Sequence, residues 1–442
     1  MKKLMMMTLM GLCVVKSIQA QDKCGAQMIK EAIIAQNPSN ALVLKQQEEQ
    51  IKQRAEAYQR DMEGVKMKTT ATVTVPVVFH IILTSAQQTA LGGISGIEER
   101  VYNQIQVLND DYAKLNADTA FVPTPFKPVA GGSQIRFGLA HRKPDGTSTP
   151  GYEIRTTTSA SYAFPASGAK YTNQGGLDAW DPSLYLNVWV INLGTSLLGF
   201  TVPRSLLFSF PSQELGVVIT HGAFGKRTAS TTPYFISGID KGRTLTHEVG
   251  HYFELIHIWG DDNGLCPNNG GQDDGIADTP PQANSSSGVP IFPTYDACSP
   301  TYPGIMFMNY MDYSNDTALY MFTNGQVARM HSNILPSNSQ DYTLGIHPEL
   351  LDWPTGVTSI ISDNNFLLYP NPSSGKVTLS LAARSGLQQI EVVNLLGKIV
   401  YSTQAQSNQT NYTIDLSLLS KGMYVVRCVF KEGIQTQKMM LE

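Results

Sequence analysis

The chain is poor in charge: Asp, Glu, Lys and Arg make up 15% of its 442 residues, against about a quarter in an ordinary globular protein. Lys plus Arg number 32 and Asp plus Glu 36, a net charge of -4 at pH 7. No basic footprint is therefore available for DNA or RNA. Long apolar runs are missing too. Beyond the N-terminus, no segment approaches the roughly 18 uninterrupted apolar residues that mark a membrane span. Cysteine is scarce, with five in all. At 42% hydrophobic, however, the chain can bury a sizeable core, which excludes wholesale disorder. Its length suggests about two or three domains.

Lys2 and Lys3 precede an apolar stretch over residues 4–15, with Ala20 at a small-residue cleavage position. That order predicts a signal peptide over residues 1–20 and an exported chain. Cys13 leaves with it. Cys24, Cys266, Cys298 and Cys428 remain, an even number for an oxidising compartment. Cys266 and Cys298 flank one Gly-rich polar loop and are the natural disulfide pair. Cys428 lies within an apolar strand pattern and reads as a buried free thiol.

Residues 21–68 are rich in helix formers with few apolar anchors, a pro-segment that needs something larger to lie on. At Ala71 the texture changes. Residues 73–83 (VTVPVVFHIIL) form a dense β-branched run, the mark of a buried strand. Residues 97–108 then repeat apolar positions at helical spacing, and strands recur at 133–139, 184–191 and 215–220. A second helix is predicted over 242–253. The alternation points to an α+β or α/β catalytic domain over 69–350, a twisted sheet with an active-site helix. A polar linker at 351–365 leads to short alternating runs over 366–442, the pattern of a small all-β sandwich.

The strongest chemical signal is His247-Glu248-Val249-Gly250-His251, continuing to His257. Residues four apart share one helix face, so His247 and His251 can present imidazoles to one metal while Glu248 reaches a water beside it. His257 can join them only if the chain leaves the helix after His251. Three His ligands with an open fourth position match catalytic rather than structural zinc, with Glu248 as general base.

These residues resemble the metzincin zinc proteases, with Glu254 standing where that pattern has Gly. A side chain there costs roughly 1 kcal/mol in a left-handed turn. The closer resemblance is to pappalysin-type metzincins of Bacteroidetes-like bacteria. VPVVFHII, LNVWVINLG, HEVGHYFELIHIWGD, DTP and MNYMDY carry it, over residues 73–335. It implies a secreted endopeptidase acting on proteins or peptides, with Met311 as the Met-turn residue and Tyr313 as oxyanion partner. It also implies calcium on the acidic loop, through Asp278 and Thr279 first, then Asp273 and Asp274. A simply solvated acidic loop is the alternative, because no EF-hand spacing is present. Cys24-Gly25 resembles a zymogen latency switch, a thiolate standing in for the catalytic water; a Cys24–Cys428 disulfide is the competing reading. By the same resemblance Leu319 falls at the specificity position, where some family members carry an acidic residue that selects Lys or Arg; that puts a basic preference in doubt and leaves a more apolar one open. YPNP (369–372), NLLGK (394–398), Gly422-Met423-Tyr424 and Lys438 resemble the type IX secretion sorting domain, whose partner is that secretion machinery. The mature protein would be released or attached to the outer-membrane surface. A second class of function stands beside the protease: a surface binding protein that keeps the fold without the turnover.

Overall fold

The β-branched run forms strand β1 (Val73–Leu83), buried along almost its whole length. In the computed structural model the described residues are 23–64, 72–194, 197–261, 264–269, 271, 273–352, 366–381, 387–394, 398–406, 409–430 and 433–442. The signal peptide, Asp262, nearly all of the expected linker and the 395–397 turn of the sorting motif lie outside them. By compactness the chain divides between Asp352 and Trp353.

In the first unit, two helices precede β1: α1 (Ala26–Gln36) and α2 (Asn40–Gly64). After β1 come α3 (Ser85–Ala90) and α4 (Gly93–Tyr112), then β2 (Ala130–Gly131), β3 (Ile135–Leu139) and β4 (Tyr152–Thr156). The remainder is β5 (Leu186–Ile191), β6 (Gly199–Val202), β7 (Gly216–Thr220), α5 (Arg243–Tyr252), β8 (Phe322–Thr323) and α6 (Asn324–Ile334). The main sheet runs β3-β1-β5-β7-β6, with β4 also on β1. All its pairings are parallel except β6 on β7, so β6 is an antiparallel outermost strand.

A parallel sheet covered on both faces needs apolar residues on both, and the alternation shows which face is which. Val75, Val77, Phe79 and Ile81 of β1, with Val188, Val190, Val217 and Ile219, join the cluster that contains residues of α4 and α5. Ile82, Trp189, Ile191, Val218, Phe200 and Val202 face the other way, in a cluster that contains Ile29 and Ile33 of α1. One face is thus closed by α4 and α5 and the other, in part, by α1. His80, in β1, is a satisfied core residue: its two ring nitrogens lie 3.1 Å from Glu153 and 2.9 Å from Asn187. Among the described residues no helix is long and apolar enough to cross a membrane.

The second unit is all-β: β9 (Phe366–Tyr369), β10 (Lys376–Leu381), β11 (Leu387–Asn394), β12 (Ile399–Gln404), β13 (Asn411–Asp415), β14 (Gly422–Phe430) and β15 (Gly433–Leu441). They form antiparallel sheets β13-β10-β9 and β12-β11-β14-β15. Inward residues of both share one core that includes Cys428, a buried free thiol. Lys438 of β15 lies opposite Val425 of β14.

Candidate metal and active site

Helix α5 carries His247, Glu248 and His251 and ends at Tyr252. Glu254 then takes a left-handed backbone, φ 71°, and the Leu255 N–H returns to the Gly250 carbonyl at 2.9 Å. This turn brings His257 back beneath the helix. The three Nε2 atoms lie 3.1, 3.1 and 3.3 Å apart. Each outer nitrogen meets an acceptor: His247 Nδ1 the Tyr310 carbonyl at 2.7 Å, His251 Nδ1 the Leu255 carbonyl at 2.8 Å, and His257 Nδ1 the Asp261 carboxylate at 2.7 Å. Those acceptors require Nδ1–H, so each Nε2 points a lone pair inward.

Three converging lone pairs repel unless a cation lies among them. A tetrahedral zinc with bonds of about 2.0–2.1 Å has nitrogen–nitrogen edges of roughly 3.3–3.4 Å. The residues present fit that group. Burial, with the neighbouring His257, drives the His247 imidazole down to about 3, which keeps it an unprotonated donor. Cys24 Sγ completes the group; with the three His ligand atoms it lies within a 4.8 Å span, all four residues buried. Neither it nor Cys428 is paired with another cysteine.

Glu248 is 1% exposed. Its Oε2 accepts from the Thr201 hydroxyl of β6 at 2.9 Å, and a Cβ at Gly199 would stand 2.8 Å from its Cγ. Gly199 is therefore the gap in the outermost strand into which this carboxylate fits. Burial pushes the Glu248 carboxyl up to about 8, opposed by hydrogen bonds from Thr201 and Cys24, so it is poised to hold a proton. Met311 is fully buried, and its Sδ would be 2.6 Å from a Cβ at Gly250; it forms the apolar floor under α5. The Tyr313 ring packs edge-on to His257 at 4.9 Å, and its hydroxyl donates to the Cys24 carbonyl at 3.4 Å.

Residues 23–25 lie in this cleft as an added strand parallel to β6. The Gly25 N–H donates to the Gly199 carbonyl at 2.9 Å, and the Leu198 N–H to the Lys23 carbonyl at 2.8 Å. Gly25 has no room for a side chain, because a Cβ would meet the Phe200 Cβ at 2.8 Å. Lys23 enters a small pocket lined by Leu319, Thr244, Ser314, Asp312 and Asp316. Its ammonium donates to the Tyr313 carbonyl at 2.6 Å. Burial lowers its pKa, while Asp316 and Asp312 act in its favour.

Cys266 and Cys298 form a disulfide. In the acidic stretch the Thr279 hydroxyl donates to Asp274 Oδ1 at 2.6 Å, and Asp278 Oδ2 accepts from the Gly325 N–H at 2.9 Å. Asp274 Oδ2 and Asp278 Oδ1 are buried without any partner. Asp273 only caps its own turn, through the Gly275 N–H at 2.8 Å. Among the described residues these carboxylates do not close into a three-ligand group.

Sequence reasoning missed three contributors. Asp261 is the partner of His257, a role that no spacing signals. Trp259 stacks on the His257 ring at 4.3 Å and 7°. Strand β6, four residues long, offers too short an alternation to be found, although its Gly-Phe-Thr-Val supplies both Gly199 and Thr201.

Residues 170–335 match the family described as pregnancy-associated plasma protein-A, and residues 367–442 a secretion system C-terminal sorting domain. An extracellular metalloprotease of Colletotrichum graminicola is 32% identical over 269 residues, 59% of this chain and 76% of that protein. Among solved structures, mature mirolysin of Tannerella forsythia in complex with a cleaved peptide is 40% identical, with TM-score 0.59, covering 64% of this chain and 99% of that one. A promirolysin mutant from the same organism is 37% identical, with TM-score 0.65, covering 75% of this chain and 99% of that one.

Proposed function

This chain belongs to the pappalysin-type metalloproteases and carries a type IX secretion sorting domain, and from that premise we propose a zinc endopeptidase made as a latent precursor. The metalloprotease is exported, released or held at the cell surface through its sorting domain. The observation that carries the proposal is the convergence of three anchored imidazoles next to a buried carboxylate. His247, His251 and His257 would hold the zinc, which when bound supplies Lewis acidity to water and to the scissile carbonyl. Glu248 takes the proton of the attacking water and delivers it to the leaving amine. Thr201 orients that carboxylate. Tyr313, whose hydroxyl already donates to a backbone carbonyl in the cleft, donates to the oxyanion. Substrate lies extended along β6 as an added strand.

In this reading Cys24 occupies the open ligand position and keeps the enzyme latent until residues 21–68 are cut away. The pocket that holds Lys23 then receives the side chain that follows the scissile bond. Its acidic residues, Asp312 and Asp316, favour Lys or Arg there, with Leu319 packing the aliphatic stem. That departs from the apolar preference suggested by Leu319 alone. Calcium would sit between Asp274 and Asp278 with Thr279 close by, supported by the two orphaned carboxylate oxygens; Asp273 has the weakest claim. The domain limits are proposed as 1–20, 21–68, 69–350, 351–365 and 366–442. Cleavage of a casein-type substrate by the processed chain and by Glu248→Ala, with zinc content measured in both, tests the reading. Equal activity in the two, or none in the zinc-loaded wild type, overturns it.

A further inference from the structure

We infer that the excised pro-segment is itself a ligand of the mature enzyme, held mainly by an apolar groove on the far face of the sheet and not by Cys24. The inference rests on the latent-precursor reading above and extends it from how the segment blocks to how it is held.

The segment wraps the outermost strand. Lys23 to Gly25 pair along the free edge of β6, and Cys24 joins the cluster on the α5 face. Within one helical turn the chain has crossed to the other side. There Ile29 (2% exposed) and Ile33 (0%) of α1 enter the opposite cluster, with Phe200, Val202, Leu206 and Leu197. Ile29 and Ile33 are four apart, on one face of α1. Beyond it α2 runs along α6. Glu48 pairs with Arg329 at 2.7 Å, Arg54 donates to Asn333 at 3.1 Å, and the Tyr58 hydroxyl lies 3.4 Å from His331.

None of these contacts depends on a covalent link between residue 64 and β1. Burying two isoleucines contributes on the order of tenfold to a hundredfold each in dissociation constant. Cutting the linker therefore changes an intramolecular contact into a bimolecular one without removing the groove. The occupant that fits this groove is residues 23–64 of this chain, whose isoleucine spacing and ion pairs are already matched to it.

The test uses the full-length chain with an engineered cleavage site between residues 65 and 71, nicked and then followed by gel filtration under dilution. The readout is the amount of N-terminal fragment that co-elutes, which is independent of peptidase activity. A catalytically inert chain thus leaves this inference standing, and loss of the fragment leaves the zinc assignment standing. The fragment is expected to co-elute from the nicked wild type and from nicked Cys24→Ser alike. Ile29→Ala with Ile33→Ala is expected to raise its dissociation constant at least about a hundredfold. Should that double variant not fold, Ile33→Val gives a rise of roughly two- to tenfold. The inference is overturned if nicking alone frees the fragment, if Cys24→Ser frees it, or if the isoleucine variants hold it as tightly as wild type.

Discussion

In the histidine group every outer nitrogen has an acceptor, and the inner three converge to within 3.3 Å. In the acidic stretch 273–279, two carboxylate oxygens are buried with nothing to accept from. In the proposed reading zinc sits in the first and calcium in the second, and the two are built differently. The first is shaped by the fold: a helix fixes two ligands, a left-handed turn returns the third, and the Tyr310 and Leu255 carbonyls with the Asp261 carboxylate lock the rings. The second is held by backbone turns and a disulfide, and two of its oxygens still lack a partner. On the proposed reading the first would serve chemistry and the second would stabilise the loop around it.

The sharpest way to break the comparison is at Glu248. Glu248→Gln keeps the shape and removes the base, so hydrolysis is expected to fall by about 10³-fold while zinc content, measured by elemental analysis, stays at the wild-type level. Next is Asp261→Asn. Losing the charged partner of His257 should weaken zinc binding by about 10–100-fold, read by competition with a chromophoric chelator, with calcium binding unaltered.

The acidic loop gives a smaller, thermal effect. Calcium should raise the melting temperature of the wild type, and Asp274→Asn should abolish that rise without changing zinc content. The pH dependence follows. Burial, opposed by the Thr279 and Ile276 hydrogen bonds, pushes the Asp274 carboxyl up to about 8 from an ordinary 3.8. A carboxyl raised in the folded state contributes stability that is complete below the ordinary value and is lost as pH rises through the folded value. Without calcium, the wild type should therefore lose stability relative to Asp274→Asn between about pH 4 and 8, and calcium should flatten the difference; parallel denaturation curves decide it. The smallest effect belongs to the apolar floor. Met311→Leu conserves volume and should cost under about 1.5 kcal/mol, read as a shift in denaturant midpoint with zinc retained.

Much of this was legible before any coordinates. The β-branched run at 73–83 can be little but a buried strand, and the spacing of His247 and His251 fixes their common face. His257 required a departure from the helix after His251, and Glu254 is where the backbone turns. Cys24 as a latency switch is legible only through resemblance; the structure puts its Sγ beside the three imidazoles, with Gly25 passing close to Phe200. What stayed hidden has physical reasons. A four-residue strand such as β6 shows too little periodicity, and α6, which opens with a Thr323–Gln326 capping box, was overlooked beside the Met-turn motif. The role of Asp261 depends on which ring nitrogen faces it, which no spacing rule contains. The acidic character of the pocket around Leu319 depends on Asp312 and Asp316, brought there by tertiary folding.

Strand β6 has one neighbour, β7, and the precursor covers its other rim with residues 23–25. A sheet that ends in bare amides and carbonyls pairs readily with any extended backbone it meets, including a copy of itself. On the latent-precursor reading, the polypeptide would therefore travel with its stickiest margin sheathed by its own N-terminal segment. With that sheath cut away, the margin proposed to grip substrate would also be the one through which molecules of the enzyme would clump.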